Sequence, residues 1–205
     1  MPSTASSPEI IDLHLDPSQS YTLGIVSDTH IPDRSKRLNP QVLSILREAH
    51  VSAILHGGDV SSPWVLDTLR EIAPVIAVQG NRDTFAKMGL PRSVLIQAGE
   101  VEIGLTHGHG SLWRYLVDKL HLLINGPDAD FYHRYLRDIF PTARVIVYGH
   151  THISDETWED GCLYFNPGAA SPPALPGMRP GMGLIYIGPQ QSVRAVRIEL
   201  ATSEA

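Results

Sequence analysis

Residues 21–30 read YTLGIVSDTH: a short, largely apolar run, Tyr21 to Val26, that stops abruptly at Ser27-Asp28-Thr29-His30. Such a run predicts a buried strand whose carboxyl end carries polar residues, and that end is where open α/β sheets place their sites. The pattern recurs downstream. Val42, Ile45, Leu46 and Ala49 fall at i, i+3, i+4 and i+7, behind Asn39 as N-cap and Pro40 at the first helical position, which predicts an amphipathic helix. Val51 to Leu55 predicts a second strand running into Gly57-Gly58-Asp59. Ser62-Pro63 then opens a helix with Val65, Leu69 and Ile72 on one face. Val75 to Val78 predicts a third strand, broken by Gly80-Asn81. Alternating strand, polar loop and helix makes the first half α/β with a largely parallel sheet.

The second half is mostly strands. Val94 to Gln97 and Val101 to Leu105, split by Ala98-Gly99-Glu100, predict a hairpin feeding His107-Gly108-His109. Val145 to Tyr148, Leu163 to Phe165, Gly183 to Ile187 and Val193 to Ile198 predict further strands. Between the halves lies a helical stretch over 113–140. Trp113, Leu116, Val117, Leu120 and Ile124 share one face up to Asn125-Gly126-Pro127, and Tyr132, Tyr135, Leu136 and Ile139 share another, ended by Pro141. Residues 1–20 read as a flexible N-terminal tail before a single domain over 21–200, and Ser171 to Pro180 as a surface loop of limited order.

A chain of 205 residues fits one domain, and 42% hydrophobic against 19% charged residues excludes intrinsic disorder. The formal net charge of −6 excludes a broad basic surface for long nucleic acid or an anionic membrane, so a phosphate-bearing substrate must be held locally. Cys162, the one cysteine, excludes a disulfide framework and a cysteine zinc cluster, so any metal binds through N and O. The first residues lack the basic start and apolar stretch of a signal peptide, and no run reaches the roughly 20 apolar residues of a membrane span. A soluble, cytoplasmic protein is expected.

The ends of the predicted strands carry, in order, Asp28-x-His30, Gly58-Asp59, Gly80-Asn81-x-Asp83, His107-Gly108-His109 and Gly149-His150-x-His152. One Asp-x-His is ordinary turn chemistry. All five on the same end of their strands would be gathered along one rim of the sheet. Asp28, Asp59, the amide oxygen of Asn81, and His30, His107, His150 and His152 form a mixed N/O set larger than the three or four protein ligands of one zinc ion. Two ions about 3.5 to 4 Å apart with a shared carboxylate would use them all. Such ligands suit Mn(II), Fe, Zn, Ni or Co, with manganese favoured here.

This ordered series resembles that of the calcineurin-like metallophosphoesterases, and Asn166-Pro167-Gly168 after the last motif is similar to the small bacterial and archaeal phosphodiesterase branch. The resemblance spans about Tyr21 to Leu200. It implies a four-layer αββα sandwich of two mixed sheets, here with the 113–140 helical insertion. It also implies one metal held by Asp28, His30, Asp59 and His152 and a second by Asp59, Asn81, His107 and His150, with Asp59 bridging. Asp59 and Asn81 are then catalytic, and Asp83 orients a neighbouring ligand. The implied reaction is hydrolysis of a small phosphate ester, most readily a diester, by a hydroxide shared between two cations.

Two departures from the family pattern stand out. Arg82 occupies the position where many large members carry His directly after the Asn. Its guanidinium suits a phosphate oxygen rather than proton transfer, so Arg82 and Asn81 are read as substrate-binding and His109 as the general acid. The 113–140 insertion is longer than in the smallest members and offers a lid or a homo-oligomer surface. His14, His50, His56, His121 and His133 fit no motif and are read as surface or packing residues, and Arg34 and Arg179 as solvated loop charge. The alternatives are a non-catalytic scaffold on this fold, argued against because no ligand is missing, and a nuclease or nucleotide hydrolase.

Overall fold

The computed structural model describes residues 8–86, 88–109, 129–172 and 178–202. In chain order these form β1 (Glu9–Asp12), β2 (Tyr21–Val26), α1 (Pro40–Glu48), β3 (Ala53–His56), α2 (Pro63–Arg70), β4 (Val75–Ala77) and a single helical turn, α3 (Asp83–Ala86). The hairpin β5 (Ser93–Ala98) and β6 (Val101–Thr106) follows, then α4 (Ala129–Ile139), β7 (Val145–Val147), β8 (Asp155–Glu159), β9 (Cys162–Asn166), β10 (Gly181–Gly188) and β11 (Ser192–Glu199). One sheet has the order β11-β10-β2-β3-β4 and the other β1-β5-β6-β7-β9-β8. Within them β2, β3 and β4 run parallel, as do β6, β7 and β9.

Alternation along each strand sets the layers. Leu23, Ile25 and Leu55 of one sheet meet Ile96, Ile103, Val145, Val147 and Phe165 of the other in an inter-sheet core. The opposite face of the first sheet, through Ile54 and Leu184, packs on Val42, Leu46, Val65 and Leu69 of α1 and α2. The outer face of the second, through Ile146, Tyr148 and Tyr164, packs on Leu136 and Phe140 at α4. Helix, sheet, sheet and helix give the αββα sandwich. α1 is capped as its sequence reads: the Asn39 side chain accepts from Gln41 N–H at 3.0 Å and Pro40 occupies the first turn. Gly24 lets α1 lie close over β2, since a Cβ there would press on the end of the Leu46 side chain.

Two edges differ from expectation. The flexible tail over 1–20 is corrected: Glu9–Asp12 is an edge strand, pairing in parallel with β5 from Glu9↔Val94 to Asp12↔Gln97. Main-chain pairing and the packing of Ile11 on the inter-sheet core hold it, and its side chains show no apolar alternation to read. β8 is hydrophilic and mostly exposed, yet pairs along its length with β9. Its signal was Asp160-Gly161, whose φ values of 46° and 74° make the tight hairpin turn that this dipeptide favours. The helix expected over Trp113 to Ile124 lies outside the described residues, as does most of the loop after Ser171. The second expected helix of that stretch is α4.

Candidate metal centre

The strands β2, β3, β4, β6 and β7 all deliver their carboxyl ends to one rim, and every motif of the series follows one of those ends directly. The backbone there is unusual. Asp28, His30, Asp59, His150 and His152 all have positive φ, between 48° and 70°. Asp and His tolerate this region better than most residues but still at a cost, and such residues cluster where geometry is imposed for function. Loop-to-loop bonds impose it: Asp28 N–H donates to Gly58 O at 2.9 Å and His30 N–H to Asp59 O at 3.0 Å. Gly58, at φ 94°, and Gly80 leave no room for a side chain, since a Cβ at Gly80 would overlap the backbone and carboxylate of Asp59.

Side-chain atoms converge from these loops. His30 Nε2 and His152 Nε2 lie 3.1 Å apart, and Asp28 Oδ1 lies 3.7 Å and 3.2 Å from them. Asp59 Oδ2 sits 3.7 Å from His30 Nε2 on one side and 3.6 Å from His107 Nε2 on the other. Asn81 Oδ1 is 3.1 Å from His107 Nε2, and the His150 ring centroid is 5.1 Å from that of His107. All seven ligand candidates are thus brought together, Asn81 on the exposed side.

For Asp28, Asp59 and His107 the second polar atom is committed elsewhere. Asp28 Oδ2 accepts from Ser27 Oγ at 2.6 Å and from His150 N–H at 3.2 Å, while its buried Oδ1 has no hydrogen-bond donor. Asp59 Oδ1 accepts from Arg82 N–H at 2.9 Å. His107 Nδ1–H donates to Gly57 O at 2.7 Å, which fixes the tautomer that leaves Nε2 a lone pair. Asp83, buried, accepts from Gly80 N–H and Ser61 N–H, each at 2.8 Å, which ties the loop before Asn81 to the loop after Asp59.

Burial dominates the ionisation of two of these rings. It drives His30 and His150 down to about 3, so both are neutral and offer lone pairs near neutral pH. Burial also opposes the Asp28 charge, but the His152 ring beside it, His107 and the Ser27 hydroxyl hold its carboxyl below the usual range. Neutral imidazoles around an ionised carboxylate with an orphaned oxygen are the protonation states a divalent cation requires. The donor set fits: Asp28, His30 and His152 form one candidate group, and Asp28, Asp59 and His107 a second.

The chain matches the calcineurin-like phosphoesterase superfamily domain over residues 22–187. The protein belongs to the calcineurin-like phosphoesterase superfamily. A probable metallophosphoesterase of Methanothermobacter thermautotrophicus is 34% identical over 153 residues, covering 75% of this chain and 79% of that protein. Vacuolar protein sorting 29 of Cryptosporidium parvum shares the fold with a TM-score of 0.67 at 21% identity, over 89% of this chain and 99% of that one. A solved archaeal phosphodiesterase aligns with a TM-score of 0.58 at 21% identity, over 86% and 99%.

Within this calcineurin-like phosphoesterase His56, read as ordinary, and three residues singled out in the sequence have specific places. His56 is buried behind the Asp59 loop, where Nδ1 accepts from Gly58 N–H at 3.2 Å and Nε2 lies 3.3 Å from Thr29 Oγ1; burial lowers it to about 4. Asn166 holds the His150-x-His152 loop by donating to Gly149 O and Thr151 Oγ1, each at 3.0 Å. Arg82, read as a phosphate contact, points its guanidinium to Asp33 at 2.8 Å. His109 lies beside His107 with ring centroids 5.3 Å apart, and burial, then His107 and Arg92, lowers it to about 4. A groove of about 640 Å³ lies at the opposite end of the strands, where Arg137 and Arg144 already donate to Ala143 O and Gly161 O.

Proposed function

We propose that this metallophosphoesterase hydrolyses a small phosphate ester at a two-metal centre, with Asp28, His30, Asp59 and His152 holding one divalent cation and Asp59, Asn81, His107 and His150 the other. The observation that carries this reading is the Asp59 carboxylate: Oδ2 faces a histidine nitrogen on each side while Oδ1 is tied back by Arg82 N–H. When bound, two cations supply water activation near neutral pH and neutralise charge on the phosphoryl oxygens.

The chain's own residues do the rest. Asp83 and Asn166 hold the loops that aim the ligands. Asn81, on the open side, combines metal binding with contact to the ester. His109 is the residue placed to assist the leaving oxygen. Because burial keeps its ring neutral, it acts there as an N–H hydrogen-bond donor at neutral pH. The fold shared with an archaeal phosphodiesterase makes a diester the first substrate to test.

Turnover of bis-aryl and mono-aryl phosphates, nucleotides and cyclic nucleotides, each with Mn(II), Ni(II), Zn(II) or Mg(II), tests the reading. Hydrolysis is expected with two metal equivalents per chain, manganese being favoured. Asp59→Asn should lower it at least about a hundredfold, beyond the usual cost of losing an outer support, with the circular dichroism spectrum unchanged. Near-wild-type hydrolysis by this variant would refute the bridging role. The fold shared with a vacuolar protein sorting protein supports a second reading, a protein-binding scaffold. Metal uptake without turnover of any ester class would favour it.

A further inference from the structure

The loop after β2 holds an arginine that the reading above leaves unused. Arg34 is half-buried, and its backbone N–H bonds His30 O at 2.8 Å, which turns the residue back toward the ligand loop. Its Nη1 lies 3.0 Å from His152 Nδ1. Among the described residues Arg34 takes part in no ion pair, whereas Arg82 is paired with Asp33 at 2.8 Å. Of these two arginines at the rim, Arg34 is therefore the one with an uncommitted charge.

The contact with His152 has a chemical consequence. A guanidinium only donates and stays charged, so His152 Nδ1 must present a lone pair to it. In the neutral ring the proton is then on Nε2, which lies 3.1 Å from its hydrogen-bond partner His30 Nε2. A cation bound at that nitrogen needs its lone pair, which leaves the proton on Nδ1 facing Arg34. Two N–H donors cannot share one hydrogen bond. His152 can serve Arg34 or the metal, but not both.

We propose that Arg34 is the phosphate-binding arginine of the site, held on His152 Nδ1 in the metal-free protein and released toward the phosphoryl oxygens when a divalent cation takes His152 Nε2. The proposal rests on the metallophosphoesterase reading. With no carboxylate to leave, the released guanidinium is free to meet a phosphoryl group through two parallel N–H bonds. The ligand class is a phosphate ester or inorganic phosphate.

The test uses the full chain and two variants. Arg34→Met keeps the aliphatic length and removes every donor; Arg34→Lys keeps the charge without the planar fork. Long-range proton–nitrogen NMR of 15N-histidine protein, with His152 assigned by its loss in His152→Asn, should show the Nε2–H tautomer in the metal-free wild type. It should show a shift toward Nδ1–H in Arg34→Met, and Nδ1–H in the wild type once zinc is added. Calorimetry of inorganic phosphate binding to zinc-loaded protein should show Arg34→Met weaker by about tenfold, with Arg34→Lys between, at unchanged zinc stoichiometry. A metal-free wild type already in the Nδ1–H form overturns the proposal. So does a phosphate affinity within about twofold of wild type in zinc-loaded Arg34→Met. Failure of the wild type to bind zinc overturns the metal reading itself, and the release of Arg34 falls with it.

Discussion

Asp59 and Gly80 show how closely the centre is built. The Gly80 backbone passes so near Asp59 that a methyl group would meet both the amide and the carboxylate of Asp59. Gly80→Ala is therefore expected to push Asp59 Oδ2 from between His30 and His107, weakening metal binding by about ten- to a hundredfold and lowering stability by about 1–3 kcal/mol. Metal titration and urea unfolding measure the two effects separately; unaltered metal affinity would show that the loop yields without moving the carboxylate. The candidate ligands were legible here because Asp, His and Asn sit directly at strand ends. The tie from Arg82 N–H to Asp59 was not, since a backbone donor leaves no mark in residue type.

Helix α4 is held by a group that pattern reading passes over. His133 lies 2.7 Å through Nε2 from Asp155 Oδ2 and 3.3 Å through Nδ1 from Glu159 Oε2, and its ring stacks on Tyr164 at 3.9 Å. Tyr148 Oη donates to the same Asp155 oxygen at 2.5 Å. Burial opposes the charge of His133, but the two carboxylates outweigh it and raise the ring above its ordinary value. The sign follows: the folded state binds the proton more tightly, so this stabilisation is complete below about pH 6.5 and fades as pH rises through the raised folded value. His133→Phe keeps the stack and loses the ion pairs, with an expected cost of about 2–3 kcal/mol in urea unfolding at pH 6. The difference from wild type should narrow above neutral pH; a pH-independent difference would assign His133 a packing role only. The same helix brings Tyr132 against Gly108, between His107 and His109, so its docking supports a ligand loop. The pairing was hidden in sequence because both carboxylates lie on β8, more than 20 residues away, in a strand with no apolar alternation.

For the whole molecule, metal and fold are linked. The unfolded chain has no preformed site, so cations that bind the assembled rim stabilise the native state. At a free metal concentration 100 times the dissociation constant each site contributes about 2.7 kcal/mol, a rise of roughly 5–10 °C in unfolding midpoint for a chain of this size. Chelator should reverse it, and identical scanning-calorimetry midpoints with manganese and with chelator would argue against binding at the rim. At a net charge of −6, two such ions would concentrate positive potential at one rim. By itself the sequence determined most of the strand segments, helices α1 and α2, and the polar motifs at the strand ends, because each is encoded over a few neighbouring residues as apolar runs, caps and turns. Only the tertiary structure decided which oxygen of Asp28 is orphaned, that Arg82 is spent on Asp33, and that Arg34 reaches His152 across 118 positions of chain. Those are contacts between loops of different strands, and their partners are chosen by how two sheets pack rather than by local sequence.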